Sequence, residues 1–220
     1  MKERIIYCDD ALAWLDNHTV LEGSSLVGSM PDISEFSGMT VPQYKVWFEN
    51  TACLILSKTP ELGVTIFYQS DIKHESVWLD KAYLCQKAAE KLGHELLWHK
   101  IVCRFPAGTI TFGRPSYTHL ICFSQKFRPD LAKSTMDVLP DIGEKTWERG
   151  MGLEAGVVIA RFIAEQVKSH TLINPFCGQG GLIAAADALN LSTIGIERSP
   201  KRAEKARLIQ IAADFKSFIV

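Results

Sequence analysis

The segment Leu172-Ile173-Asn174-Pro175-Phe176-Cys177-Gly178-Gln179-Gly180-Gly181 constrains the fold more than any other part of this chain. An apolar run enters a glycine-rich turn, and a helical pattern starts straight after it. Glycines lack Cβ, so a ligand can come close to the backbone. The N–H groups that open the next helix have no partner within the helix and point towards that ligand. One strand later, Thr193-Ile194-Gly195-Ile196-Glu197 ends on a carboxylate about 20 residues after the glycines, a placement that suits both hydroxyls of a ribose. Ser199-Pro200 then opens another helix with proline at its first position. A dinucleotide fingerprint is the nearest competitor. Gly178 and Gly180 match it, but Ile183 stands at its third position and is too bulky for that helix–strand approach. A glycine turn in an ordinary α/β fold, with no ligand, is the plainer alternative.

Elsewhere, period-2 and period-3.6 patterns alternate, as in an α/β domain with a mostly parallel sheet. Strands are predicted at residues 4–8, 25–29, 63–70, 96–104, 117–124, 171–173 and 193–197. Helices are predicted at 11–17, 44–58, 79–92, 153–167, 181–189 and 200–214. The strands at 96–104 and 117–124 have only a Gly/Pro-rich loop between them, so they form an antiparallel hairpin and the seven-stranded sheet is mixed. Residues 125–150 are rich in charge and proline with weak periodicity, and are expected to be a mobile connecting segment. The chain reads as one domain over residues 1–220, with a catalytic and substrate half (1–124), the connecting segment, and a cofactor-binding half (151–220).

Composition narrows the function. Hydrophobic residues make up 47% and charged residues 22%, enough apolar material for a full core. The six cysteines are scattered without a Cys-x-x-Cys pair, so neither a metal site nor a disulfide framework is expected. No apolar run is long enough for a membrane span and no signal peptide is legible, so a cytoplasmic protein is expected. The formal net charge of −1 argues against a strongly basic nucleic-acid binder but allows a local basic patch. His74 and His99 each stand alone in the sequence, and Trp147 is the tryptophan best placed to meet a substrate.

These motifs resemble the permuted, beta-order S-adenosylmethionine-dependent amino-methyltransferases that act on exocyclic amines of DNA bases. In that family the catalytic motif precedes the cofactor loop, which typically reads Asp-Pro-Phe-Cys-Gly-Ser-Gly; here it is Asn-Pro-Phe-Cys-Gly-Gln-Gly. The family's Gly-Ile-Asp/Glu followed by Ser-Pro is matched by Gly195-Ile196-Glu197 and Ser199-Pro200. The resemblance implies a Rossmann-like methyltransferase fold in circularly permuted motif order. It implies S-adenosyl-L-methionine as cofactor, with Asn174, Pro175, Phe176, Cys177, Gly178 and Gly180 along its methionine part. Glu197 would then hold the ribose, and Asp10, at the start of the first helix, would also touch the cofactor.

The catalytic motif departs from the family. Where Asp/Asn/Ser-Pro-Pro-aromatic is usual, this chain has Ser29-Met30-Pro31-Asp32. Ser29 and the Met30 carbonyl can still accept hydrogen bonds from a target N–H, but the aromatic platform is replaced by a carboxylate. Asp32 is either a general base for an acceptor that must lose a proton or a cap on the following turn. Arg104 and Arg114, with Phe105 and Phe112, suggest a basic, aromatic face for splayed bases. The expected substrate is therefore a nucleobase, in RNA ahead of DNA. A small-molecule methyltransferase and a non-catalytic subunit supporting a partner enzyme are the alternatives, and a homodimer is compatible with the edge strands.

Overall fold

In a computed structural model that describes residues 2–211, eight strands form one twisted sheet. In chain order they are β1 (Arg4–Tyr7), β2 (Ser24–Gly28), β3 (Thr65–Gln69), β6 (Glu95–Cys103), β7 (Tyr117–Ser124), β8 (Val138–Leu139), β9 (Thr171–Asn174) and β10 (Ser192–Ile196). Their spatial order is β1-β10-β9-β2-β3-β7-β6-β8. The five strands from β1 to β3 are parallel neighbours, and β7 runs antiparallel to both β3 and β6. All seven strands read from the sequence are present, and β8 adds an eighth, pairing parallel to β6. Two residues are too short to show a period, which is why β8 is silent in the sequence. A separate hairpin of β4 (Ile72–His74) and β5 (Val77–Leu79) was also unforeseen; Glu75 and Ser76 make its turn with positive φ.

Helices cover both faces. On one lie α1 (Ala11–Asn17), α2 (Val41–Ser57) and α3 (Lys81–Lys91), which pack Trp14, Leu15, Tyr44, Phe48 and Leu84 against the sheet. On the other, α4 (Leu153–Arg161) and α5 (Gly181–Ala188) bury Val158, Ile159, Leu182 and Ala186. There α6 (Pro200–Leu208) packs Ala203 and Ala206 on Ile6, Cys177 and Ile183. The expected continuous helix over residues 153–167 widens by one residue per turn over Phe162–Val167 and stops at left-handed Lys168. The last helix ends at Leu208, and residues 212–214 of the expected span lie outside the described residues. Arg4 fastens the sheet edge: its guanidinium pairs with Asp187 of α5 and donates to the Ile209 carbonyl at 2.7 Å.

The connecting segment is tied down at several points. Leu139 and Ile142 are buried in the core, the Leu153 N–H donates to the Glu144 carbonyl at 2.8 Å, and Lys145 bridges to Gly152. Gly152 can only be glycine there, since a Cβ would lie 1.9 Å from the Ile142 carbonyl oxygen. No helix among the described residues is long and apolar enough to cross a membrane.

Candidate active site

Helix α5 carries the chain from β9 to β10 on one side, whereas β2 continues through α2 to β3 on the other. A crevice opens where the direction of winding changes, outside the carboxyl ends of the strands, the general position for a ligand in open α/β sheets. Here it is a cleft of ≈ 1020 Å³ between β9 and β2, at the upper end of ordinary ligand pockets of about 300–1,000 Å³. Of the fourteen residues singled out from the sequence, thirteen line this cleft: Asp10, Ser29, Met30, Pro31, Asp32, Arg104, Arg114, Asn174, Pro175, Phe176, Cys177, Gly178 and Glu197.

Gly180 is the exception. It has φ +84° at the start of α5 and faces away from the cleft; a Cβ there would sit 2.9 Å from the Ala206 backbone. Its bareness lets α6 approach the turn, a packing requirement rather than a ligand contact.

The turn after β9 is held by short-range bonds. Asn174 Oδ1 accepts from the Phe176 N–H at 3.3 Å, and the Cys177 N–H donates to the Ile196 carbonyl at 3.0 Å. Burial, reinforced by the Glu197 charge, pushes the Cys177 thiol up to about 12, so it is a packing group and not a nucleophile. Gly195 makes room for it, because a Cβ there would come within 2.9 Å of Cys177 Sγ. At the end of β10, Glu197 Oε1 accepts from the Ser199 N–H at 2.8 Å and lies 3.7 Å from Arg202. Asp10 caps α1, its Oδ1 accepting from Leu12 and Ala13 N–H groups at 3.0 and 3.1 Å.

Across the cleft, the Ser29–Asp32 turn is anchored from below. The Tyr44 hydroxyl donates to the Pro31 carbonyl at 2.9 Å. Burial, with the Asp32 charge next, drives the ionisation of Tyr44 far above the usual tyrosine range, so it stays a donor. Asp32 is buried and both its oxygens are engaged: Oδ1 by the Lys81 ammonium, Oδ2 by the Arg114 guanidinium. Lys81 also lies at this cleft, and sequence reading did not single it out. It opens α3 after the Asp80 cap, lines the cleft and is 1% exposed. Burial pulls its ionisation below the ordinary lysine range against the pull of Asp32. Nothing in the sequence couples positions 32 and 81, whose meeting depends on α3 packing beside α2 and beneath β3 and β7.

Trp147, the tryptophan set apart above, lies against the glycine turn: a Cβ on Gly178 would be 3.2 Å from its ring, and the Arg202 guanidinium sits 5.1 Å from the ring centroid on its face. The connecting segment is therefore one wall of the cleft. Its Arg149 reaches Glu35 beside the Ser29–Asp32 turn at 3.6 Å. His99 does not stand alone as expected. Its Nε2 is 2.8 Å from His119 Nδ1, and His119 Nε2 is 3.1 Å from the buried Asp71 carboxylate, which also accepts from the Lys81 N–H at 2.9 Å.

No protein-family model matches the chain, and no curated protein matches it. Solved structures do. The PvuII DNA methyltransferase, described as cytosine-N4-specific, superposes with a TM-score of 0.72 at 14% identity, over 99% of this chain and 89% of that one. TTHA0409 of Thermus thermophilus, provisionally assigned as a DNA modification methylase and solved with S-adenosyl-L-methionine, gives 0.71 at 16% identity over 92% and 91%. The M1.HpyAVI–SAM complex gives 0.59 at 15% identity over 93% and 98%. The chain thus has the Rossmann-like fold of these proteins over nearly its whole length.

Proposed function

We propose that this chain is an S-adenosylmethionine-dependent methyltransferase that acts on a nucleobase nitrogen, with its motifs in the permuted order of the amino-methyltransferases. The observation that carries the reading is the convergence at one switch-point cleft of the glycine turn after β9, the Glu197 carboxylate at the end of β10 and the Ser29–Asp32 turn at the end of β2.

The residues present fit the cofactor. Glu197 lines the cleft with Oε1 committed to the Ser199 N–H, and its other oxygen, which is in no hydrogen bond or ion pair among the described residues, would serve a ribose diol. Residues 174–178 offer a close backbone approach to the methionine part, and Asp10 adds a second carboxylate on the same side. When bound, the cofactor supplies an electrophilic methyl group. Ser29 and the Met30 carbonyl would accept hydrogen bonds from the acceptor N–H and hold its lone pair towards the transferring carbon. Such positioning supplies most of the rate in an in-line displacement. As the nitrogen–carbon bond forms the methyl–sulfur bond breaks, S-adenosylhomocysteine is the leaving group, and the surplus N–H proton passes to water in the open cleft. Asp32, with both oxygens occupied by cations, acts as a positioning residue for Lys81 and Arg114 and not as the proton acceptor. Fixing the turn falls to Tyr44.

The cleft is open and polar, and seven basic against five acidic side chains line it although the whole chain carries −1. This favours a nucleic-acid substrate over a small apolar one. Length does not separate RNA from DNA, since the chain spans 89–98% of the DNA-methyltransferase neighbours' lengths. We put RNA ahead because exposed Phe105 and Phe112, flanking a near-neutral protein's few arginines, suit unstacked bases better than a duplex. The test is titration with S-adenosylhomocysteine, followed by transfer of a labelled methyl group to RNA and DNA fractions with nucleoside mass spectrometry. Absence of cofactor binding by the folded protein would overturn the reading and return the chain to the supporting-subunit alternative.

A further inference from the structure

Four basic side chains meet on the acceptor side of the cleft: Lys81, Arg104, Arg114 and Lys145. One buried acid, Asp32, serves two of them, Lys81 and Arg114. Among the described residues, Arg104 and Lys145 form no ion pair. Arg104 is held at the end of β6 by its backbone, whose N–H donates to the Ser116 carbonyl at 2.7 Å. Its guanidinium leans on the Phe105 ring at 5.9 Å, and its Nη1 is shut off from solvent with no hydrogen-bond partner. Arg104 is only half-buried, but an unmade hydrogen bond on a solvent-excluded charged nitrogen is costly, and native structures seldom leave one without a reason. The surroundings make it worse. Burial and the nearby Arg114 both lower the ionisation of Arg104, with Tyr68 and Asp32 opposing. Burial and Arg104 likewise lower that of Lys145, opposed by Glu148. Cations gathered this closely without matching acids relieve one another when an anion enters between them.

We infer that Arg104, with Lys145 and the free edge of Arg114, forms an anion subsite that takes a phosphate group attached to the acceptor nucleoside. The identity of the acceptor as a nucleoside rests on the function proposed above; the affinity for phosphate oxygens rests on the arrangement of charges alone. The phosphate can belong to a polynucleotide strand or to a free nucleotide, and both present the same oxygens. The other Arg104 nitrogens, Nε and Nη2, also form no hydrogen bond among the described residues, and a planar guanidinium can offer two N–H groups to two phosphate oxygens at once, which an ammonium cannot do.

The experiment measures binding, without methyl transfer, of three probes: a mixed-sequence single-stranded 12-mer, nucleoside 5′-monophosphates, and the unphosphorylated nucleosides. Each is titrated with and without S-adenosylhomocysteine against wild type, Arg104→Gln and Arg104→Lys. The phosphate-bearing probes should bind at least about tenfold more weakly to Arg104→Gln, and Arg104→Lys should recover part of the loss. The slope of log affinity for the 12-mer against log salt should fall by about 0.7. Binding of the 12-mer alone identifies a strand as the source; binding of the monophosphates as well identifies a free nucleotide. Nucleosides that bind wild type as tightly as their monophosphates, or equal phosphate affinity in wild type and Arg104→Gln, would overturn the subsite. Unchanged S-adenosylhomocysteine affinity in Arg104→Gln separates loss of the subsite from loss of the fold. Wild type that binds the 12-mer but no S-adenosylhomocysteine would sink the methyltransferase reading and leave the anion site standing.

Discussion

Replacing Asp32 with alanine tests what this carboxylate does. Lys81 is 1% exposed and has Asp32 as its ion-pair partner, so Asp32→Ala strands an ammonium in the interior. Breaking a buried pair from one side costs about 3–5 kcal/mol. Arg114 also loses its partner, but its side chain is 39% exposed and water takes over, so it adds about 1 kcal/mol or less. For a chain of this length each kcal/mol lowers the melting temperature by about 2–4 °C, and the expected drop is roughly 6–20 °C. The deficit should depend on pH with a definite sign. The folded ionisation of Lys81 is depressed by burial, so below the ordinary lysine value the unfolded chain binds more protons than the native one. Stability then rises with pH as that value is approached, more steeply in Asp32→Ala, where the orphaned lysine can shed its proton. Adding Lys81→Met to Asp32→Ala removes the stranded charge and should restore most of the stability. Urea unfolding followed by circular dichroism gives all four corners of the cycle. A loss under about 1 kcal/mol in Asp32→Ala, or no recovery in the double variant, would show that Lys81 does not depend on Asp32 and would reopen its candidacy as a general base.

Glu197→Ala should weaken S-adenosylhomocysteine binding by about tenfold or more, the worth of one charge-assisted hydrogen bond to the ribose, measured by isothermal titration; an unchanged affinity would remove Glu197 from the cofactor site. Gly180→Ala puts a Cβ 2.9 Å from the Ala206 backbone at φ +84° and should cost about 1–3 kcal/mol in thermal unfolding, since the residue's role is to admit α6. Glu49 is held below the usual carboxylate range by hydrogen bonds from Lys87 and then Lys91. Its contribution is therefore present above the ordinary glutamate value and fades as pH falls through the lower folded one. Glu49→Gln should be less stable than wild type at neutral pH and converge with it in acid, as read by chemical denaturation.

The local elements were legible because their signals are local. Asp10 before an apolar-periodic run marks the start of α1, and alternating apolar residues with a Gly/Pro loop mark the β6–β7 hairpin. Strand, glycine turn, helix, strand and acid stand consecutively between positions 172 and 197, so the glycine-turn side of the cleft is contained in one βαβ unit and could be read as a unit from the sequence. Elements without a period escaped: the two-residue β8, and the β4–β5 hairpin whose turn uses left-handed Glu75 and Ser76 instead of glycine. Residues 125–150 read as a mobile connection because the burial that anchors them, such as that of Leu139 and Ile142 in the core, comes from elements distant in sequence, yet they bring Lys145, Trp147 and Arg149 to the cleft.

The sequence by itself determined the βαβ unit that ends on Glu197 and the chemistry of the turn at Ser29, since neighbouring residues impose both. Tertiary structure alone decided the electrostatics beside the Ser29–Asp32 turn. Asp32, Lys81, Arg104, Arg114 and Lys145 arrive from five separate stretches of chain, and only their convergence in a poorly solvated space turns common charges into paired and unpaired ones. A carboxylate that in isolation reads equally as base or cap became an anchor between two cations. An arginine that reads only as part of a basic face became a donor with one nitrogen left without a partner.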